Sequence, residues 1–333
     1  MKKISIAFFG TQPYDEESFE KTNEDFGFDI RYFKGHLNKH NVMLSQKTDA
    51  VCIFVNDLAD ACIIKAMAKN GVKLLALRCA GYNNVDLKAA KENGIRVVRV
   101  PAYSPYAVAE HTVALMLTLN RKVNRASWRT RDGNFSLNGL MGFDMHGKTA
   151  GIIGTGRIAK VLIHILKGFG MNVLAYDLHQ DEAFAKEHNI TYVTLDQLYK
   201  ESDIISLHCP LTEETKYMIN EQSIDKMKKG VMIINTGRGA LINTNDLIEG
   251  LKDKKIGYAG LDVYEEESNY FYEDQSNSVM DDDVLARLLS FNNVILTSHQ
   301  AFFTKEALTN ISHTTLQNIR DFIDGKELVN EVV

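Results

Sequence analysis

The sequence predicts an α/β protein with two doubly wound parallel sheets, and three observations support this class. Short apolar runs of strand length alternate with helical or polar segments along the chain, as in parallel strands joined by crossover helices. Residues 147–177 read as a strand, a glycine turn, a helix and a second strand, which together form a βαβ unit. The chain of 333 residues, 45% of them hydrophobic, is long enough for two domains with full-sized cores.

The first sheet is predicted from short apolar runs that precede residue 101. These runs are 4–9, 29–33, 50–55, 74–78 and 97–100. Pro101 then interrupts the strand pattern, and Pro105 begins a long helix with apolar residues at helical spacing. We therefore place the passage into a second domain at residues 101–105.

The loop 78–86 follows one of these runs and is small and glycine-containing. Ligands of parallel sheets bind beyond the carboxyl ends of the strands, so free backbone N–H groups in this loop could receive a carboxylate. The alternative is a plain strand-to-helix connection in which Asp86 lies near the start of the helix. The residues alone favour neither interpretation decisively.

The βαβ unit carries the motif GTGRIA at residues 154–159. Gly154 permits the tight turn, Gly156 lets backbone N–H groups approach a pyrophosphate at the helix N-terminus, and small Ala159 lets the helix pack on the strands. Asp177 follows the second strand, where a carboxylate accepts hydrogen bonds from ribose hydroxyls and repels a 2′-phosphate. These features predict a Rossmann domain that binds NAD rather than NADP.

The second sheet is predicted from runs within and after this unit, at 149–153, 173–175, 190–193, 203–207, 231–235, 256–263 and 294–297. The polar segment 125–146 holds the only tryptophan, Trp128, and we interpret it as an arm or subunit contact. Residues 265–283 read as an acidic loop. Residues 305–323 read as an amphipathic helix that can return to cover the first domain.

Ionisable groups follow three strands of the second sheet. Arg238 comes after the run 231–235, the glutamates at 265–267 come after 256–263, and His299 comes after 294–297. Because parallel strands end at the same edge of a sheet, we expect an arginine, a carboxylate and a histidine near the nicotinamide. A guanidinium can hold a substrate carboxylate, and an imidazole beside a carboxylate can exchange a proton with a hydroxyl. The pattern leaves open which glutamate faces the histidine.

At these residues the chain resembles the D-specific 2-hydroxyacid dehydrogenases, and the resemblance spans essentially its whole length. It rests on GTGRIA at 154–159, HCPLT at 208–212, NTGRG at 235–239, LDVYE at 261–265 and the later Ser298 and His299. The segments PAYSP at 101–105 and HQAFFT at 299–304 resemble the members that reduce pyruvate to D-lactate. The family pattern implies reversible hydride transfer between NADH and a small 2-keto acid.

The resemblance also implies roles for individual residues. Arg238, Glu267 and His299 match the family's catalytic residues. The substrate is expected to contact Arg238 and His299, the Ala80 and Gly81 backbone and Tyr103, while Phe302 bounds its side chain. Beyond Gly154, Gly156 and Asp177, the expected cofactor residues are Arg157, Ile158, Cys209, Pro210, Thr236, Gly237 and Asp262. Thr215 stands where some relatives carry Asn, and we assign it the same adenosine contact.

The family layout implies a discontinuous, flavodoxin-like substrate domain formed by residues 1–102 and 300–333. Residues 103–299 would form the NAD-binding Rossmann domain. The family also implies a homo-oligomer, at least a dimer, associated through the cofactor domains, with the segment 125–146 as our proposed contact.

The expected reaction is pyruvate reduction, in which protonated His299 supplies a proton and Glu267 stabilises the imidazolium. Another small keto acid, such as 2-ketoisocaproate, hydroxypyruvate or glyoxylate, is the nearest alternative substrate. A remote alternative is an NADH-sensing corepressor on the same fold. Such a binding protein is expected to carry recognition tails, and we see none in this sequence.

Composition excludes other classes of function. A net charge of −5 without a basic block argues against a nucleic-acid partner, and no apolar stretch is long enough to cross a membrane. Cys52, Cys62, Cys79 and Cys209 lack CxxC spacing, so we expect buried, reduced thiols and a cytoplasmic protein. The histidines show no ligand pattern, so we predict no metal site.

Overall fold

The computed structural model describes residues 3–267 and 270–333. These residues divide into two compact units. The first unit comprises Met1–Ser104 and Phe303–Val333, and the second comprises Pro105–Phe302. Each unit is built on its own parallel sheet.

The first unit contains a five-stranded parallel sheet. Its strands are β1 (Ser5–Phe8), β2 (Asp29–Tyr32), β3 (Ala50–Ile53), β4 (Leu74–Leu77) and β5 (Arg96–Val98). The order is β2-β1-β3-β4-β5, which is the flavodoxin-like order. Strands β3 and β4 are buried along their whole length, because helices cover both faces of such a sheet.

The α-helices that the structure describes beside this sheet are α1 (Pro13–Asn23), α2 (Ala61–Lys69), α3 (Leu87–Glu92) and α12 (Lys305–Ile323). Helix α12 comes from the end of the chain and packs on α1 and β4. Ser18 Oγ on α1 donates to the Leu308 carbonyl at 3.1 Å, and the hydroxyls of Thr22 and Ser312 lie 2.6 Å apart. Small polar residues therefore let the two helices approach closely.

The second unit contains a seven-stranded parallel sheet. Its strands are β6 (Thr149–Ile153), β7 (Asn172–Tyr176), β8 (Thr191–Tyr192), β9 (Ile204–Leu207), β10 (Val231–Asn235), β11 (Ile256–Leu261) and β12 (Val294–Leu296). The order is β12-β11-β10-β9-β6-β7-β8. The strand order reverses between β6 and β9, and doubly wound sheets bind ligands at such a point. The predicted fold class, two doubly wound parallel sheets, is confirmed.

The helices of the second unit flank this sheet. They are α4 (Pro105–Arg121), α5 (Val123–Arg131), α6 (Arg157–Gly168), α7 (Glu182–His188), α8 (Leu195–Glu201), α9 (Glu221–Lys226), α10 (Thr244–Lys252) and α11 (Asp283–Leu289). Helix α4 packs against α6, β10 and β11. Its buried residues share one apolar core with those of α6, including Met116 and Leu162.

The segment 125–146 is not entirely an irregular arm, because α5 occupies its first part. Lys122 adopts a left-handed conformation with φ of 51° and separates α5 from α4. None of the residues of α5 is buried, so the helix packs no face against a hydrophobic core. Large apolar side chains of α5 and of the residues after it are exposed: Val123 (56%), Trp128 (67%), Phe135 (76%), Leu137 (82%) and Met141 (86%).

The burial of the cysteines differs from the expectation, and part of the acidic segment lies outside the described residues. Cys52 and Cys79 are buried, but Cys62 is exposed on α2 and Cys209 is only partly buried. Cys62 belongs to an amphipathic helix rather than to a buried strand, which explains its exposure. The acidic segment 265–283 includes residues 268 and 269, which lie outside the described residues.

Several predicted strands also end too late. The runs 50–55 and 256–263 continue past the ends of β3 and β11, at Ile53 and Leu261. The last residues of each run leave the ladder and form loops at the carboxyl edge of the sheet. The candidate active-site residues of this unit lie at this edge.

Candidate active site

The loop after β6 approaches the loop after β9. Gly154 has φ of +88°, and a Cβ at this position would lie 2.6 Å from the backbone of His208 and Cys209. Only glycine therefore permits this turn and this close approach. The contact brings Gly154 and the predicted cofactor residue Cys209 together at the reversal of strand order.

The amino end of α6 is open to a ligand. Gly156 is its N-cap residue, and no side chain caps the helix there. A Cβ on Gly156 would meet nothing within 4 Å, and Arg157 beside it is exposed. Uncapped N–H groups and the positive end of a helix dipole are suited to a phosphate group. Ala159 on the opposite side is fully buried, as the motif predicts.

Asp177, the residue after β7, is held by three donors. Its Oδ2 accepts from the Thr155 N–H at 2.6 Å and from Thr155 Oγ1 at 2.9 Å, and its Oδ1 accepts from the His179 N–H at 2.9 Å. Burial alone would raise the pKa of Asp177, but these hydrogen bonds outweigh it and hold the pKa below its usual value. The carboxylate is therefore ionised and fixed in direction.

A directed chain of hydrogen bonds supports Asp177 from strand β8. Tyr192 Oη accepts from the Asp181 N–H at 3.1 Å and lies 3.0 Å from Thr155 Oγ1. Thr155 Oγ1 in turn can bond the ionised Asp177 only as a donor. The Tyr192 hydroxyl must therefore donate to Thr155. Sequence reasoning missed Tyr192, because only strand pairing brings β8 to this loop.

The remaining cofactor positions lie in loops at the same edge. Thr215 Oγ1 donates to the Pro210 carbonyl at 2.7 Å and so braces the loop after β9. Thr236 Oγ1 lies 3.0 Å from Thr112 Oγ1, whose own proton goes to the Val108 carbonyl. Thr236 is therefore the donor in this pair, which ties the loop after β10 to α4.

Arg238 lies in a turn fixed by a buried asparagine. Asn235 accepts from the Gly237 N–H at 3.0 Å and donates to the Arg238 carbonyl at 2.8 Å. A Cβ on Gly239 would lie 2.1 Å from the Tyr264 backbone, so glycine lets the loop after β10 contact the loop after β11. The Arg238 side chain is partly exposed, and its Nη1 donates to the Gly237 carbonyl at 2.8 Å.

The structure distinguishes between the consecutive glutamates. Glu265 accepts from the Thr244 N–H at 2.7 Å and from Tyr217 Oη at 2.8 Å, so it joins other loops. Glu266 is exposed. Glu267 Oε1 lies 2.8 Å from His299 Nδ1. Of the three carboxylates, Glu267 therefore contacts the histidine.

His299 occupies a constrained turn. Its φ is 52°, a left-handed conformation that is uncommon for a residue other than glycine. Its N–H donates to the Asp262 carbonyl at 2.7 Å, and its own carbonyl accepts from Tyr272 Oη at 3.1 Å. These bonds stabilise the turn and set the direction of the imidazole.

The buried carboxylate of Asp262 organises this turn. Asp262 is 0% exposed and accepts from Thr297 Oγ1 at 2.5 Å and from the N–H groups of Gln300 and Ala301 at 2.9 and 2.8 Å. His111 Nε2 on α4 lies 3.4 Å from the same carboxylate. Burial tends to raise the pKa of Asp262, but these hydrogen bonds lower it overall. Sequence reasoning did not predict that His111 contacts this cluster.

In the first unit, Ala80 and Gly81 lie in the loop between β4 and α3, and both are half-buried. Asp86 Oδ1 accepts from the Ala89 N–H at 2.8 Å and caps α3, so the capping interpretation of this residue is correct. Tyr103 is half-buried, and its carbonyl accepts from Asn310 on α12 at 2.7 Å. Phe302, the last residue of the second unit, is buried.

Comparison with known proteins identifies the family. Residues 113–301 match the family model described as D-isomer specific 2-hydroxyacid dehydrogenase, NAD binding domain. The chain is 52% identical to the D-lactate dehydrogenase of Escherichia coli K12 over 330 residues, which cover 99% of this chain and 100% of that protein. The chain belongs to the D-isomer specific 2-hydroxyacid dehydrogenase family. It is accordingly an oxidoreductase that uses NAD and acts on a 2-hydroxy acid.

Solved structures of this family agree with the fold. The apo-structure of D-lactate dehydrogenase from Escherichia coli superposes with a TM-score of 0.91 at 51% identity and covers 99% of this chain and 100% of its own. The pyruvate reductase of Chlamydomonas reinhardtii superposes with a TM-score of 0.94 at 44% identity, and 98% of each chain is covered.

The residues present fit a dinucleotide. The uncapped start of α6 and the open space beside Gly156 follow strand β6. The ionised Asp177 follows the neighbouring strand β7. Among the described residues, no cluster of three or more His, Cys, Asp or Glu could hold a metal ion. No helix in the described ranges is long and apolar enough to span a membrane.

Proposed function

We propose that the chain catalyses the reversible, NAD-dependent interconversion of pyruvate and D-lactate. The observation that carries the proposal is the 2.8 Å contact between Glu267 Oε1 and His299 Nδ1, at the sheet edge where Arg238 also lies. The similarity to proteins named D-lactate dehydrogenase and pyruvate reductase supports pyruvate as the keto acid.

The acid–base part of the reaction belongs to His299. NADH, when bound, supplies the hydride that adds to C2 of the keto acid. With Nδ1 directed to Glu267, Nε2 is the ring nitrogen that gives a proton to the carbonyl oxygen, so the ketone becomes a hydroxyl. Glu267 stabilises the imidazolium and fixes the ring. In the reverse direction neutral His299 takes the hydroxyl proton.

Arg238 anchors the substrate. A guanidinium binds a carboxylate through two parallel hydrogen bonds and remains charged at any physiological pH. Its positive charge also polarises the ketone next to the carboxylate. The N–H groups of Ala80 and Gly81 and the side chain of Tyr103 provide further contacts to the carboxylate, and Phe302 bounds the methyl group.

The cofactor is held by the second unit. The N-terminus of α6, Gly154, Gly156, Arg157 and Ile158 receive the pyrophosphate, and Asp177 accepts from the ribose hydroxyls. The adenosine and nicotinamide contacts are assigned to loop residues at the same edge: Cys209, Pro210, Thr215, Thr236, Gly237 and Asp262. We accordingly propose residues 103–299 as the NAD-binding domain, and residues 1–102 with 300–333 as the substrate domain.

We also propose a homo-oligomer, at least a dimer. The side chains of Trp128, Phe135, Leu137 and Met141 are at least 67% exposed, and large exposed apolar residues concentrated in one segment are typical of a subunit interface. Light scattering of wild type and of Trp128→Ala with Met141→Ser tests this contact. A cytoplasmic location is proposed because all four cysteines are free thiols.

The test of the function is NADH oxidation over a panel of 2-keto acids, with chiral analysis of each product. We expect pyruvate to give the highest kcat/KM and D-lactate to be the product. A higher kcat/KM for glyoxylate, hydroxypyruvate or 2-ketoisocaproate would reassign the substrate. Tight NADH binding without turnover of any keto acid would instead indicate a sensor.

A further inference from the structure

Two consecutive carbonyls of the loop 78–86 are held by two consecutive residues after β5. The Cys79 carbonyl accepts from the Val100 N–H at 3.1 Å. The Ala80 carbonyl accepts from Arg99 Nη1 at 2.8 Å. The first bond is made by the backbone, whereas the second depends on one side chain.

These two bonds determine where the next N–H groups point. In a planar trans peptide the carbonyl and the N–H point in opposite directions. The Cys79 carbonyl shares its peptide plane with the Ala80 N–H, and the Ala80 carbonyl shares its plane with the Gly81 N–H. Neither N–H donates to another group in the described ranges of the chain, so both remain available to an acceptor from outside.

Arg99 is itself held in place. Its guanidinium carbon lies 5.2 Å from the centroid of the Tyr82 ring. Its backbone N–H donates to the Asn330 carbonyl at 3.1 Å, and its carbonyl accepts from Asn318 Nδ2 at 3.0 Å. The side chain is thus anchored at its base and stacked at its tip. Within the described residues the Arg99 guanidinium pairs with no carboxylate, and its hydrogen bond goes to the Ala80 carbonyl.

We propose that Arg99 is a positioning residue for substrate binding. It fixes the Ala80–Gly81 peptide so that the Gly81 N–H faces the substrate carboxylate. The inference rests on the proposed function, which assigns the carboxylate to the Ala80 and Gly81 backbone. Losing Arg99 frees this peptide to rotate, and the carboxylate then loses a pre-aligned donor.

The test compares two variants of Arg99 with a matched control. Arg99→Met removes the donor and keeps most of the aliphatic stem, whereas Arg99→Lys keeps one charged donor. Arg96→Met is the control, because Arg96 lies on β5 and its guanidinium pairs with Glu331 rather than with the loop. KM and kcat for pyruvate, Ki for oxamate, the Kd for NADH and the melting temperature are measured for each protein.

Arg99→Met should raise KM for pyruvate and Ki for oxamate about tenfold, the cost of one hydrogen bond to a charged group. The Kd for NADH should stay at the wild-type value, and kcat should change less than KM. Arg99→Lys should give an intermediate KM. Arg96→Met should leave the kinetic constants unchanged, whatever it does to the melting temperature.

Three outcomes overturn the inference. The first is an unchanged KM in Arg99→Met, the second is a KM in Arg99→Lys as high as in Arg99→Met although a donor is kept, and the third is an equal KM increase in Arg96→Met. If the wild type does not reduce pyruvate, the proposed function fails instead. The same variants are then compared on the keto acid of the panel that turns over fastest, since every member carries the carboxylate.

Discussion

Replacing Glu267 with Gln removes the negative charge beside His299 and keeps the size of the side chain. The glutamine carbonyl can still accept from His299 Nδ1, so the ring orientation and tautomer should persist. The variant therefore isolates the electrostatic stabilisation of the imidazolium, which pyruvate reduction requires.

The size of the effect follows from the contact. Oε1 and Nδ1 are 2.8 Å apart, and the two side chains are 23% and 19% exposed. A hydrogen bond to a charged group contributes about 1.5–3 kcal/mol, and partial exposure to water favours the lower end. Since each 1.36 kcal/mol is tenfold in rate, we expect kcat/KM for pyruvate at neutral pH to fall about 10- to 30-fold.

The assay is kcat/KM for pyruvate at neutral pH, together with the Kd for NADH. In Glu267→Gln kcat/KM should fall by this factor, because His299 keeps a hydrogen-bond partner but loses the negative charge beside it. The NADH affinity should not change. Glu266→Gln is the matched control, since Glu266 is an exposed neighbour, and its kcat/KM should match that of the wild type.

An unchanged kcat/KM in Glu267→Gln would refute this account of the histidine. So would a control variant that loses as much activity as Glu267→Gln. Either result would show that the carboxylate in contact with the ring does not assist proton transfer.

Three further predictions concern the anchor, the cofactor and the buried carboxylate. Arg238→Lys should raise KM for pyruvate about tenfold, because a point charge replaces a bidentate fork. Asp177→Ala should weaken NADH binding about tenfold and narrow the preference over NADPH, and Tyr192→Phe should cause a smaller loss in the same direction. Asp262→Asn should lower the free energy of unfolding by about 1–3 kcal/mol at pH 7, because the amide must face a backbone donor. Since folding lowers the pKa of Asp262, its contribution is complete above the unfolded value of about 3.9 and is lost as pH falls further.

Each of these has a measurement and a contradicting result. Pyruvate kinetics with NADH titration test Arg238→Lys, and an unchanged KM would mean that another group anchors the substrate. Fluorescence titration with NADH and NADPH tests Asp177→Ala and Tyr192→Phe. A wild type that binds both cofactors equally would contradict the role of Asp177. Urea unfolding at pH 7 and at about pH 3 tests Asp262→Asn, and a gap in stability that does not shrink in acid would contradict the ionised state.

The sheets were predictable because each strand corresponds to a short apolar run in the sequence. Strand β10 is buried along its whole length, so its apolar run has the bounds that the structure shows, Val231–Asn235. Helix α12 was predictable for the same reason, since one of its faces is buried. Helix α5 was not, because none of its residues is buried and its nine residues include few apolar ones.

From the residue pattern alone, the site was predictable to the level of strand ends, and the family resemblance was needed to name Glu267. The sequence placed a carboxylate near His299, but the choice of Glu267 depends on Tyr217 and Thr244, which engage Glu265 from distant positions. His111 and Tyr192 could not be found, because their partners lie on other elements. A lone histidine in a helix gives no sign of the carboxylate against which it packs.

The most direct test of the central claim uses NADH deuterated at both C4 positions, with pyruvate in ordinary water. Hydride transfer to C2, with the proton coming through His299, predicts D-lactate that carries one deuterium at C2. Chiral chromatography with mass spectrometry reports both the configuration and the label. L-Lactate, or D-lactate without deuterium at C2, would contradict the account.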